Sequence, residues 1–104
     1  DAAILNIQRA CEAALDIGQH LIRREKLGVP QSARDVFTLL GQGGLIDMSL
    51  ADKLKRMVGF RNIAVHDYQT LQLPITVSII ETHLDDFLQF TQTLLQHDAA
   101  LPKN

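Results

Sequence analysis

Hydrophobic and polar positions alternate with a helical period along most of the chain. From Ala2 to about Leu27, Ile4, Ile7, Cys11, Ala14, Leu15, Gly18, Leu21 and Ile22 recur at steps of three and four, with Arg9, Glu12, Asp16, Gln19 and Arg23 opposite. This pattern predicts a long amphipathic helix. Arg23, Arg24 and Lys26 favour its C-terminal end electrostatically, and Gly28 and Pro30 mark the stop. Ser32 with Asp35 three residues on resembles a capping box and opens a short helix carrying Val36, Phe37, Leu39 and Leu40. The Gly41-Gln-Gly-Gly44 run ends that helix. With no GK[ST] ending and no preceding strand, the run is a turn rather than a phosphate loop. Leu45 and Ile46 are expected to fold back on the core, and Ser49, with Asp52 three residues on, to cap a third helix from Leu50 to about His66. A connection through Gln69 to Leu73 leads to Pro74, which suits a first helical turn. The fourth segment is expected to bury Ile80, His83, Leu84, Phe87, Leu88, Thr91, Leu94 and Leu95, with Asp85 and Asp86 outward. No alternating β-branched run interrupts this series. The fold expected is all-α, an antiparallel helical bundle forming a single domain over residues 1–104.

The third helix is where the pattern needs a chemical explanation. Leu50, Leu54, Met57, Ala64 and Val58/Val65 share its apolar stripe, and Arg61 falls among them. A guanidinium is always charged, so at that place it requires an anion, an interface or a ligand. Gly59, Asn62 and His66 form a second, polar stripe about 140° away by the helical period.

Composition narrows the options without choosing among them. The 104 residues, 46% of them hydrophobic, suffice for one core. The formal net charge is −2, so the chain as a whole has no electrostatic footprint for nucleic acid or an anionic membrane. The charges are unevenly placed: nine of the ten Lys/Arg lie in residues 1–61, against seven of the twelve Asp/Glu. Lys53, Lys55 and Arg56, upstream of Arg61, are either solubility charges or candidate RNA contacts that lead phosphates toward it. A single cysteine, Cys11, fits a reducing compartment. No run of about 18 apolar residues suggests a membrane span, so the expectation is a soluble cytoplasmic protein with no membrane partner. The chain starts on an aspartate already inside a helical pattern, which suggests sequence upstream of it.

Arg61 and His66 pair an obligate cation with a group that titrates near neutrality. That pairing suits phosphodiester chemistry: an imidazole takes a proton from a ribose 2′-hydroxyl while a guanidinium stabilises charge on the phosphoryl oxygens. Asn62 is placed to orient the imidazole or hold a phosphate oxygen, and Tyr68 to donate to phosphate or stack on a base. Cys11 stands alone, and His20, His66, His83 and His97 are scattered, with no carboxylate pair at ligand spacing to one of them on the buried face. The reaction expected is therefore independent of metal and cofactor and ends in a 2′,3′-cyclic phosphate. One helix offers one Arg and one His, so two copies sharing a cleft in a homodimer would complete the site. The structural alternative has Arg61 pairing with Glu12, Asp16 or Asp67, and His66 capping the helix end. His83 is expected to be a core histidine, and His20 and His97 surface residues.

The segment Arg61-Asn-Ile-Ala-Val-His66-Asp-Tyr68 is an R-x4-H-x-Y pattern, and it resembles the HEPN superfamily, specifically HepT-like toxins paired with minimal nucleotidyltransferase antitoxins. The likeness extends through Asn6–Ile17, Gly28–Asp35 and Leu54–Phe60, nearly the whole chain. It implies a HEPN-like bundle and an endoribonuclease acting at a homodimer cleft, with tRNA one candidate target. It also implies Arg61 and His66 as catalytic residues, Asn62 as their polar helper, and silencing by AMP transfer to Tyr68 from the nucleotidyltransferase. Members of the family usually carry a further helix before the one that opens this chain. A second reading stays open, in which the chain is a non-catalytic nucleotide- or RNA-binding HEPN module and partner subunit of the nucleotidyltransferase.

Overall fold

The computed structural model describes residues 2–67 and 73–100, with side chains described for 2–64 and 77–96. Four helices account for nearly all of it: α1 (Ala2–Glu25), α2 (Ala33–Gln42), α3 (Met48–Asp67) and α4 (Leu73–Ala100). No strand occurs among the described residues. The molecule measures 49 × 26 × 21 Å, and the long axis follows from α4, whose 28 residues span about 42 Å at 1.5 Å per residue.

The end of α1, both ends of α2 and the start of α3 have local causes. α1 stops where Lys26 adopts the left-handed conformation (φ 54°) and Leu27 N–H returns to Ile22 O at 3.0 Å. This is a Schellman closure with lysine in the place glycine usually takes. α2 ends in the same way with glycine in that place: Gly44 has φ 79°, and Leu45 N–H donates to Leu40 O at 3.0 Å. The Ser32 cap expected for α2 is present, its Oγ accepting from Asp35 N–H at 3.1 Å, while the Asp35 carboxylate accepts from Gln31 N–H at 2.9 Å. For α3 the sequence reading misplaced the start. The cap is Asp47, not Ser49: Asp47 Oδ1 accepts from Leu50 N–H at 2.7 Å and Asp47 O from Ala51 N–H, so the helix begins at Met48. An aspartate two residues earlier satisfies the free N–H groups equally well and lengthens the helix by two residues.

The core is one cluster. α1 contributes Ile7, Cys11, Ala14, Leu21 and Ile22, α2 Val36, Phe37 and Leu40, and α3 Leu50, Ala51, Leu54, Met57 and Val58, with Leu45 and Ile46 folding back as expected. α4 closes it with Ile80, Phe90 and Leu94. Phe37 and Phe90 meet edge to face across the centre, with centroids 6.0 Å apart and rings at 89°, a favoured aromatic geometry. The expected α4 stripe needs correction. Leu88 and Leu95 are more than half exposed, and Phe90, left out of the predicted stripe, is fully buried. Asp86 also turns inward rather than outward, its side chain 13% exposed beside His83. α4 is apolar over much of its circumference, so period alone leaves its rotation open by about one residue, or 100°.

At Gly18, α2 comes close to α1. A Cβ there would stand 2.5 Å from Val36 Cγ1 and 3.3 Å from Leu40 Cδ1, both on fully buried side chains, so the crossing requires a residue without one.

Candidate functional site

The C-terminal half of α3 carries the candidate chemistry. Arg61 is half-buried at the edge of the stripe formed by Met57, Val58 and Ala64. The expectation that it would be sunk in the core is corrected to this extent: Arg61 is only partly buried, because a long side chain can lay its stem on apolar surface and keep its head wet. Its Nε donates to Asn62 Oδ1 at 3.0 Å. Neither Glu12 nor Asp16 lies within ion-pair distance of it, so those two structural partners are excluded. A guanidinium has five N–H donors in a planar fork, and Asn62 engages the Nε side, which leaves the terminal nitrogens for an outside acceptor.

The field of Arg61 is felt at Cys11. Burial pushes that thiol up to about 11, the guanidinium opposes the shift, and Glu12 adds to it. Cys11 Sγ lies 3.8 Å from Met57 O, to which it donates a weak hydrogen bond. A buried thiol held neutral in this way is a packing residue, not a nucleophile.

His66 belongs to the last turn of α3, and its side chain lies outside the described residues, as do Asp67 as a partner for Arg61, His97 and the whole of Tyr68. His20 is exposed. His83 is half-buried, as expected of a packing histidine, but it is engaged: Nδ1 is 3.4 Å from Asp86 Oδ2, and the ring lies 5.4 Å from Phe60 at a tilt of 38°. Phe60 immediately precedes Arg61, so this pair braces the Arg61 turn of α3 from α4. The described residues contain no group of three or more His, Cys, Asp or Glu able to hold a metal ion. None of the described helices is long and apolar enough to cross a membrane.

A groove of about 800 Å³ runs between the start of α2 and the middle of α3. Gln31, Ser32, Arg34, Asp35 and Thr38 form one wall, and Lys55, Arg56, Gly59, Phe60 and Ile63 the other. Lys55 and Arg56, two of the three expected RNA contacts, thus line a concave surface that ends on the residues flanking Arg61 and Asn62. Lys53 does not line it. Lys55 is loosely tied to Asp52 at 3.8 Å. Arg34 was missed in the sequence, where it sits among capping residues and suggests only a solvated helix start. The available signal was Gly59: a glycine inside a helix that is not near a turn implies that something approaches the backbone there.

A family model described as Ribonuclease HepT-like matches residues 1–94. An mRNA nuclease HepT of Shewanella oneidensis is 56% identical over 94 residues, covering 90% of this chain and 71% of that protein. A crystal structure of a toxin-antitoxin with AMP-PNP aligns with a TM-score of 0.83 at 54% identity, over 92% of this chain and 73% of its own. A tri-AMPylated Shewanella oneidensis HEPN toxin in complex with MNT antitoxin aligns with a TM-score of 0.80 at 56% identity, over 89% of this chain and 70% of its own.

Proposed function

The chain belongs to the HepT-like ribonuclease family, and on that premise we propose that it is the endoribonuclease toxin of a toxin-antitoxin pair, with Arg61 and His66 as its catalytic residues. The observation that carries the reading is the state of Arg61: oriented through Nε by Asn62, at the edge of the core, with no carboxylate of the described residues in ion-pair range. Its terminal N–H pair suits two oxygens of one phosphate. In the reaction, the His66 imidazole accepts the proton of a ribose 2′-hydroxyl, the freed oxygen attacks the adjacent phosphorus, and the P–O5′ bond breaks. A proton passes to the departing 5′-oxygen. The products are a 2′,3′-cyclic phosphate and a 5′-hydroxyl, with no metal required. Arg61 stabilises the charge that grows on the non-bridging oxygens, and Asn62 holds Arg61 for that task. Two copies of the chain facing each other supply the pair twice around one RNA strand.

Regulation follows from the relatives found as complexes. One is a tri-AMPylated toxin bound to an MNT antitoxin. By analogy, a nucleotidyltransferase partner transfers AMP to Tyr68, two residues beyond His66. The added nucleotide occupies the cleft and its negative charge repels the RNA backbone.

The test is cleavage of RNA by the purified chain in excess chelator. Wild-type protein cuts, Arg61→Ala and His66→Ala lose about 10²-fold or more, and mass spectrometry after co-expression with the partner finds adenylyl groups on Tyr68. Cleavage retained by His66→Ala would defeat the mechanism and favour the non-catalytic binding module.

A further inference from the structure

We propose that the α2–α3 groove is a subsite for single-stranded RNA, in which Arg34 and Arg56 take backbone phosphates beside the one that is cut and Phe60 offers its ring to a base. The inference rests on the ribonuclease reading and specifies how the strand lies. Three independent observations support it.

First, the chain has twelve acids for ten Lys and Arg, yet Arg34 and Arg56 have no carboxylate within ion-pair distance among the described residues. Asp35 is the one carboxylate lining the groove, and it is held by Gln31 N–H. The groove is thus a concentrated positive surface on a protein that is acidic overall, and it complements a polyanion.

Second, α3 carries glycine at position 59, in the interior of a helix, where alanine is favoured. A Cβ built there would overlap Arg34 Nη2 and lie 3.4 Å from Cζ. The missing side chain lets the end of the guanidinium reach α3 two residues, about half a turn, before Arg61. Arg34 is itself exposed, so the notch serves the position of its charge and not packing.

Third, the apolar floor is braced from α4. Phe60 is backed by the His83 ring at 5.4 Å, and His83 is tethered to Asp86. Ile63 extends this floor and is 53% exposed. A braced aromatic edged by cations is the arrangement that receives an unstacked base, which a double helix does not present. The groove volume of about 800 Å³ falls within the ~300–1,000 Å³ of ligand-sized sites.

The experiment measures binding of a short 2′-O-methyl RNA strand, which lacks the attacking hydroxyl, by fluorescence anisotropy across a salt series. Arg34→Ala and Arg56→Ala should each weaken binding about tenfold and lower the slope of log K against log salt by about 0.7. Gly59→Ala should weaken it in the same direction without lowering Tm, and Arg23→Ala, at the end of α1, should change neither slope nor affinity. Wild-type slopes in the Arg34 and Arg56 variants, or an equal loss in Arg23→Ala, would overturn the subsite. Weakened assembly with the nucleotidyltransferase, with RNA binding intact, would also overturn it and assign the groove to an acidic protein surface. Cleavage of ordinary RNA is scored separately. A wild-type protein that binds through the groove but never cuts would sink the ribonuclease reading and leave the subsite standing, whereas one that neither binds nor cuts would sink both.

Discussion

Two glycines, Gly18 in α1 and Gly59 in α3, make room for a neighbour, and the neighbours differ in kind. At Gly18 the space is taken by Val36 and Leu40, fully buried and unable to retreat. At Gly59 it is taken by the far end of Arg34, which is free to swing into solvent. The first glycine serves packing, since filling its notch displaces the core. The second has no such role, since filling its notch displaces a charge. A helix interior that accepts glycine without a packing reason is where a functional explanation is needed, and this contrast separates the α1–α2 crossing from the α2–α3 groove beside Arg61.

Phe37→Ala removes the ring that meets Phe90 at the centre and should lower unfolding stability by about 3–5 kcal/mol, measured by urea denaturation. A loss under 1 kcal/mol would mean that the core is not built around that pair. Next in size is a pH effect at the α1–α3 contact. The Cys11 thiol is raised from 9.0 to about 11 in the folded chain, so its contribution is fully present below pH 9 and is lost as pH rises through 11. By about pH 11 the wild type should have lost on the order of 2 kcal/mol relative to Cys11→Ala. Parallel pH profiles for the two proteins would contradict the burial of that thiol. Smaller still, Gly18→Ala should destabilise by about 1–2 kcal/mol, overpacking outweighing the gain in helix propensity. The smallest effect has the opposite sign: Gly59→Ala should raise stability by about 0.5–1 kcal/mol while RNA cleavage falls. Two Gly→Ala changes that moved stability in the same direction would remove the distinction between the notches.

Much of this was legible in the sequence, for identifiable reasons. The α1 stripe from Ile7 to Ile22 and the Ser32–Asp35 cap rest on local spacing, and local spacing is what a sequence displays. The R-x4-H-x-Y pattern led to the family for the same reason, since all its members lie within eight residues. The features that were missed depend on partners distant in sequence. The rotation of α4, which buries Phe90 and exposes Leu88 and Leu95, is decided by where Phe37 stands. Asp86 turns inward because His83 is there to meet it. Arg34 becomes interesting only when α2 is laid against Gly59. Asp47 rather than Ser49 caps α3 because two competent caps lay two residues apart and spacing does not choose between them.

The central claim is that Arg61 and His66 perform transphosphorylation on RNA unaided by a metal, and the chemistry of the cut ends tests it most directly. Digesting RNA in excess chelator and analysing the termini should yield 2′,3′-cyclic phosphates upstream of the cut and 5′-hydroxyls downstream. Fragments with 3′-hydroxyl and 5′-phosphate ends, or cleavage that stops when the chelator is added, would contradict it.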